Sequence, residues 1–290
     1  MRQKWLGRRW ARMQRVRVAT EHVGGDVVRL RITSRGARLL GFEVSAFVVG
    51  SLLIDTGFPY ARRAVLEALD GRRIEAVCCT HNHEDHVGNC AAVAALHGCP
   101  VYLRNAHALW EEGVRRLKPY RMTWWGPVDA FEPREMPDEV EGGGRRLRVV
   151  PAPGHSATQV SFFEEASGDL YTGDLFVAPG AAAVLTWGDP WQEVASLRRV
   201  ADLGPRRMLT GHGLIVDDPE PLLRRKAERI EEAARQSVEL LGQGLAPRQV
   251  VRRVFTRGRF KDRLFEYLTS REFSRLNFVL AAAKHNPRSS

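Results

Sequence analysis

The chain has 290 residues, 44% of them hydrophobic and 27% charged, enough apolar content for a sizeable core and too much for a disordered chain. Its +10 formal charge sits at the ends: residues 1–17 carry seven basic groups and no acid, and residues 219–290 carry 16 basic and eight acidic groups. No apolar run reaches the ~18–20 residues of a membrane span, and the N-terminal stretch lacks the apolar segment of a secretory signal, so a cytoplasmic protein is expected. The four cysteines fall between Cys78 and Cys99 without a Cys-x-x-Cys pair, and read as reduced thiols packed as small hydrophobes.

In chain order, "RVRVATEHVGGDVVRLRI" (15–32) alternates about Gly24-Gly25 and predicts a β-hairpin. "FEVSAFVVG" and "SLLID" predict two further strands about Gly50-Ser51. "YARRAVLEALDG" has helical spacing and stops at Gly71. "IEAVCCT" is a short buried strand, "GNCAAVAALHG" a helix ended by Gly98, and "PVYLR" another strand. Residues 105–140 are less regular and hold Trp110, Trp124 and Trp125, which modestly favour an apolar acyl pocket or else cover the core. "RRLRVVPAPG" returns to strand, "QVSFFEE" and "DLYTGD" pair across Ser167-Gly168, "WQEVASLRRVADLG" is a helix, and "RRMLTGHG" is a strand entering a loop. After Asp218 the pattern is helical only, with a long helix from Pro219 and shorter ones at 246–256 and 269–285, the last with a possible capping box of Thr269 and Glu272. This gives a basic arm at 1–17, a layered α/β domain at 18–218 and a helical region at 219–290.

"CCTHNHEDHVGNC" (78–90) concentrates the chemistry. Its core is His81-x-His83-x-Asp85-His86. Three imidazoles and a carboxylate at this spacing suit zinc and similar borderline ions. His81 and His83 are two apart, so in extended backbone they project to one side. Asp85 and His86 follow where the chain turns into a helix, and can address a second ion.

Here the chain resembles the metallo-β-lactamase-fold hydrolase superfamily, over about residues 18–218, in particular its glyoxalase II-like and short endoribonuclease-like branches. The resemblance calls for further site residues in order, and the chain supplies them: Asp55 in "LLIDTG", His155 in "PAPGHS", Asp174 in "LYTGD" and His212 in "LTGHG". It implies a four-layer αββα sandwich with a C-terminal helical cap, which in the endoribonuclease-like relatives resembles a winged helix. It implies that His81, His83 and His155 hold one metal, that Asp85, His86 and His212 hold a second, and that Asp174 bridges them. Asp55 would orient the site from behind, and Glu84, at a variable place, is expected to face solvent. The implied cofactors are two divalent ions, zinc first, with manganese or iron as alternatives. Such a pair lowers the pKa of a bridging water, and the hydroxide attacks a carbonyl carbon or a phosphorus, with Asp85 and Asp55 as the catalytic carboxylates. No Ser or Cys nucleophile is needed, and Ser156 is read as capping its turn.

Departures narrow the class. The lactamase subclasses lack an equivalent of Asp174, and the flavodiiron relatives carry Glu where this chain has His83. The large nucleases insert a domain between the last two motifs, for which the 38 positions from Asp174 to His212 leave no room. The lactonases usually place Tyr where Val177 stands. The expected function is hydrolysis of a thioester, ester or lactone, with a small-molecule acyl substrate as the partner. The first alternative is an endoribonuclease-type phosphodiester hydrolase, whose partner would be RNA and which the basic C-terminal region modestly favours. The second is an iron-dependent persulfide dioxygenase.

Overall fold

The computed structural model describes residues 15–39, 42–106, 118–179, 185–256, 264 and 266–287. The alternating N-terminal segment pairs as β1 (Arg17–His22) and β2 (Val27–Thr33), with Gly24 and Gly25 both at positive φ in the turn. Antiparallel pairing continues through β3 (Val44–Val49) and β4 (Leu52–Ile54). It then becomes parallel through β5 (Ala76–Cys78), β6 (Val101–Leu103) and β7 (Arg134–Glu135), completing a seven-stranded sheet among the described residues. A second, six-stranded sheet runs β13-β12-β11-β10-β9-β8. Its strands are β8 (Glu139–Gly142), β9 (Arg145–Pro151), β10 (Val160–Glu164), β11 (Asp169–Tyr171), β12 (Arg207–Leu209) and β13 (Ile215–Asp217).

The period of two sorts each strand's side chains into two cores. Val28, Leu30, Val48 and Leu53 face outward from the first sheet. They meet Val65 and Leu69, in and just after one helix (Arg62–Ala68), and Val93 from another (Cys90–His97). The alternate residues Val27, Phe47, Val49 and Leu52 face inward and meet Leu147, Phe162 and Tyr171 of the second sheet. That sheet's outer face, with Phe163, Leu170 and Met208, is covered by three helices (Pro190–Ala201, Glu220–Gly242 and Arg275–Lys284). Three apolar seams between four layers are the αββα sandwich that the resemblance implied.

The helices are numbered in chain order: α1 (Arg35–Leu39), α2 (Arg62–Ala68), α3 (Glu84–Val87), α4 (Cys90–His97), α5 (Pro119–Trp124), α6 (Pro190–Ala201), α7 (Glu220–Gly242), α8 (Pro247–Val254) and α9 (Arg275–Lys284). α4 ends where expected, with Gly98 in the left-handed region that glycine adopts without penalty. α6 starts at Asp189, whose side chain accepts from the amides of Trp191 and Gln192. The long helix α7 is not a free appendage. Leu223, Ala227, Ile230 and Ala234 extend the core beneath the second sheet. Its buried Lys226 ammonium donates to the Leu175 carbonyl at 3.3 Å and lies 3.5 Å from Glu193.

Three expectations are corrected or fall outside the structure. The last helix does not begin at a Thr269–Glu272 box. It begins at Arg275, capped by Ser274, whose hydroxyl accepts from the Asn277 amide at 3.1 Å. Glu272 is drawn elsewhere, to Arg121, and Ser270 and Arg271 sit at positive φ, which no helix allows. Trp124 and Trp125 pack against the outer core of the first sheet, while Trp110 and most of the expected basic arm lie outside the described residues. The four cysteines are free thiols, with Cys78, Cys79 and Cys90 buried. No helix among the described residues is long and apolar enough to cross a membrane.

The inner seam carries the contact between the sheets, so its largest members set stability. Replacing Phe162 by Ala, fully buried there, is expected to cost about 3–5 kcal/mol in denaturant unfolding. A loss below about 1 kcal/mol would mean that the two sheets are not held by this seam.

Candidate metal centre

Strand direction brings distant residues to one edge. β4 and β5 are parallel, and their C-terminal ends deliver Asp55 and His81. In the second sheet β9 and β11 both run antiparallel to β10, and β12 runs parallel to β11, so β9, β11 and β12 share a direction. Their C-terminal ends lead to His155, Asp174 and His212. Backbone bonds tie the two sheets along this edge, from the Val160 amide to the Thr80 carbonyl (2.8 Å) and from the Ser45 amide to the Gly211 carbonyl (2.7 Å). The short helix α3 then turns Asp85 and His86 inward, with His83 at its N-cap in extended backbone.

The structure gathers all seven side chains into two adjoining groups. One holds His81, His83, His155 and Asp174, the other Asp85, His86 and His212. In the first, His83 Nδ1 lies 2.9 Å from His81 Nε2 and 3.1 Å from His155 Nε2. Asp174 Oδ2 is 3.5 Å from His155 Nε2 and 4.0 Å from His81 Nε2. In the second, Asp85 Oδ2 lies 3.9 Å from His86 Nε2 and 3.8 Å from His212 Nε2. Asp174 reaches this group too, with Oδ1 3.2 Å from His86 Nε2 and 3.1 Å from His212 Nε2. His212 Nε2 is also 3.1 Å from Oδ2, so the carboxylate stands between the two groups, with Oδ1 on the second and Oδ2 reaching both.

The far side of the rings fixes which nitrogens point inward. His212 Nδ1 donates to the Glu43 carbonyl at 2.8 Å, and His86 Nδ1 donates to Asp55 Oδ2 at 2.8 Å. His81 Nδ1 donates to Thr80 Oγ1 at 3.0 Å, and that hydroxyl donates onward to Asp55 Oδ2 at 2.9 Å. Asp55 also accepts from the Thr80 amide at 2.8 Å. Three Nε2 atoms are thereby turned inward, where a proton or a metal ion can sit. Asp55 itself does not reach the cluster centre, and it holds φ +59°, a left-handed conformation uncommon outside glycine.

This donor set fits divalent cations. A single proton on His83 Nδ1 can serve one of its two neighbouring nitrogens, not both. Donors around a tetrahedral ion with bonds of about 2.0–2.1 Å stand roughly 3.3–3.4 Å apart, close to the spacing seen. Although 3.2 Å apart, the buried His86 Nε2 and Asp174 Oδ1 are not aligned for a hydrogen bond, a costly arrangement that a cation relieves. Gly211 leaves the room, because a Cβ there would come within 2.8 Å of the His86 ring and 2.9 Å of Asp174.

Electrostatics divides the groups. Burial and the neighbouring imidazoles hold His81 and His83 well below the usual imidazole range, and burial brings His155 down to about 4. These rings are neutral, the form that ligates metal. Burial also acts on His86 and His212, but the carboxylates, Asp174 foremost, outweigh it and raise both. Burial pushes Asp174 up, and His212 and His86 more than reverse it, so it stays ionised.

Glu84 corrects an expectation. It does not face solvent but is 1% exposed. Its carboxylate accepts two bonds from Arg121 Nη1, at 2.9 and 2.7 Å, while Arg121 Nε donates to Glu272 at 3.0 Å. The Tyr120 hydroxyl also donates to Glu272. The metal-site turn is thus joined through α5 to the segment before α9. Neither Arg121 nor Glu272 was legible in advance, because the link spans 37 and 151 positions and no short motif encodes it. The aromatic neighbours Trp187 and Phe273 were missed for the same reason: their ring centroids lie 6.4 Å from His83 and 6.5 Å from His155.

An αββα sandwich with paired His/Asp groups at the strand ends defines a class of metal-dependent proteins. Residues 40–212 match the family described as Metallo-beta-lactamase superfamily, and the chain belongs to it. It is similar to a hydroxyacylglutathione hydrolase of Alkalilimnicola ehrlichii, at 31% identity over 168 residues that cover 55% of this chain and 55% of that protein. It is also similar to an atrochrysone carboxyl ACP thioesterase of Aspergillus fumigatus, at 27% identity over 218 residues that cover 74% of this chain and 62% of that protein. The chain thus spans less than two thirds of either relative's length. Among solved structures, a metallo-beta-lactamase family protein of Thermus thermophilus superposes with a TM-score of 0.59 at 22% identity, covering 85% of this chain and 89% of that one.

Removing Arg121 would leave two buried carboxylates without their cation. Arg121→Met is expected to lower unfolding stability by about 3–5 kcal/mol. Denaturant melts of the metal-free protein check this, and a change under about 1 kcal/mol would mean the network is slack.

Proposed function

We propose that this protein is a dinuclear metal-dependent hydrolase acting on a thioester, ester or lactone. The observation that carries the reading is Asp174, ionised and set between two groups of three side chains, within 3.5 Å of imidazole nitrogens in both. His81, His83 and His155 would hold one divalent ion, Asp85, His86 and His212 the other, and Asp174 both. Imidazole nitrogens with shared carboxylates suit zinc, manganese or iron. When bound, such a pair supplies Lewis acidity and a nucleophilic hydroxide near neutral pH.

The chain's own residues do the rest. Asp55 holds His86 directly and His81 through Thr80, so that Nε2 is the nitrogen each ring turns to the centre. Asp85 reaches the cluster from α3 with less engagement than Asp174, 3.8 and 3.9 Å from its imidazole neighbours. This leaves it placed to accept and return a proton beside the substrate. Ser156 is occupied with its own turn, its hydroxyl 2.9 Å from that of Thr158, and is no candidate nucleophile. The similarity to a thioesterase and a hydroxyacylglutathione hydrolase supports acyl transfer to water over other chemistry of the superfamily. The helical region after Asp218 serves as a cap, reaching the site edge through Glu272 and Phe273.

The test is a substrate panel on zinc-, manganese- and iron-loaded protein. Turnover of S-acyl thioesters, esters or lactones is expected, with single-stranded RNA left intact. Asp174→Asn is expected to lower kcat by at least about a hundredfold, since it weakens a carboxylate shared by both groups. RNA cleavage that is lost in Asp85→Ala and falls steeply with salt would replace this reading with the nuclease one. Oxygen uptake on a thiol persulfide by the iron form would replace it with the dioxygenase one.

A further inference from the structure

The wall of the site beside His83 and His155 is aromatic. Trp187 sets its ring edge-on to His83, at 68° between planes, and remains 53% exposed. Phe273 sets its ring nearly parallel to His155, at 30°. His155 is the most exposed of the seven cluster side chains, at 14%, so the centre opens on this side. Behind Phe273 stands Arg121, its guanidinium carbon 5.5 Å from the ring centroid. Arg121 is 4% exposed, with Nη1 bonded to Glu84 and Nε to Glu272, while its buried Nη2 has no partner. The two ring faces offer no hydrogen bond to a charged group, so a carboxylate would lose its water here without compensation.

We propose that Trp187 and Phe273 form the two sides of a subsite for an apolar, uncharged acyl group, and that they set the substrate preference of the centre. This rests on the hydrolase reading above and narrows it. A half-exposed indole beside a polar centre loses water only when an apolar group covers it, so each added methylene of the acyl chain is worth up to about fourfold in binding. The Glu84–Arg121–Glu272 link positions Phe273. Arg121 joins the turn that carries Asp85 and His86 to the segment that carries the ring, and so fixes the width of the subsite.

The experiment uses the full-length zinc-loaded protein and N-acetylcysteamine thioesters with acetyl, butyryl, octanoyl and succinyl groups. kcat/KM is expected to rise at least tenfold from acetyl to octanoyl, with succinyl below butyryl. Trp187→Ala and Phe273→Ala are each expected to reduce the octanoyl value about tenfold through KM, leaving acetyl within about twofold. Trp187 is exposed, so its removal does not endanger the fold, and Phe273→Leu supplies a milder change at the second position. Equal rates across the chain lengths, or equal losses for acetyl and octanoyl in the variants, would overturn the proposal while leaving the hydrolase reading intact. Calorimetric binding of analogues in which a methylene replaces the thioester sulfur separates the two claims. Tighter binding of the octanoyl than of the acetyl analogue without turnover of any thioester keeps the subsite and sinks the hydrolase reading. Neither turnover nor chain-length-dependent binding sinks both.

Discussion

A carboxylate held between five imidazoles at the rim of an apolar sandwich is the interaction on which the rest depends. Asp174 is 7% exposed; its Oδ1 lies near His86 and His212, and its Oδ2 near His212, His155 and His81. Burial alone would protonate it. It stays ionised because positive character from His86 and His212 surrounds it. The unpartnered atoms left over, His86 Nε2 and Asp174 Oδ1, mark where the protein alone cannot balance its own charges and bonds. A divalent cation placed between them would satisfy both atoms.

The sandwich makes that arrangement possible. Short strands ending at one edge place residues far apart in sequence within hydrogen-bond range, and each ends in a turn whose backbone is already committed. Asp55 shows how the support works. It collects the Thr80 amide, the Thr80 hydroxyl and His86, so two imidazoles are oriented from one buried carboxylate. On the opposite side, Lys226 of α7 reaches the carbonyl next to Asp174 and pairs with Glu193 of α6. The C-terminal helices therefore hold the turn as well as cover the sheet.

Much of this was legible in the sequence, and for a physical reason. Alternation along β1 to β4 and the glycines at Gly24, Gly25 and Gly98 are local signals, and local signals place local elements. His81, His83, Asp85 and His86 lie within six residues, so their spacing alone marks a metal motif. His155, Asp174 and His212 carry no such mark, since "PGHS", "TGD" and "TGHG" are ordinary turns, and only the family resemblance singled them out before strand direction brought them together. The aromatic and charged wall was not legible at all. Glu84 looked like a solvent-facing residue because its partners, Arg121 and Glu272, come from elements with no pattern linking them to it. The same pull on Glu272 displaced the start of the last helix to Ser274.

The central claim is that one carboxylate completes two ion sites. It is tested most directly by calorimetric titration of zinc or manganese into metal-free protein, with metal content measured after dialysis. Two ions per chain are predicted for the native protein, and loss of at least one in Asp174→Asn with the fold retained by circular dichroism. A single ion per chain in the native protein, or two ions held equally tightly without the Asp174 carboxylate, would contradict the account.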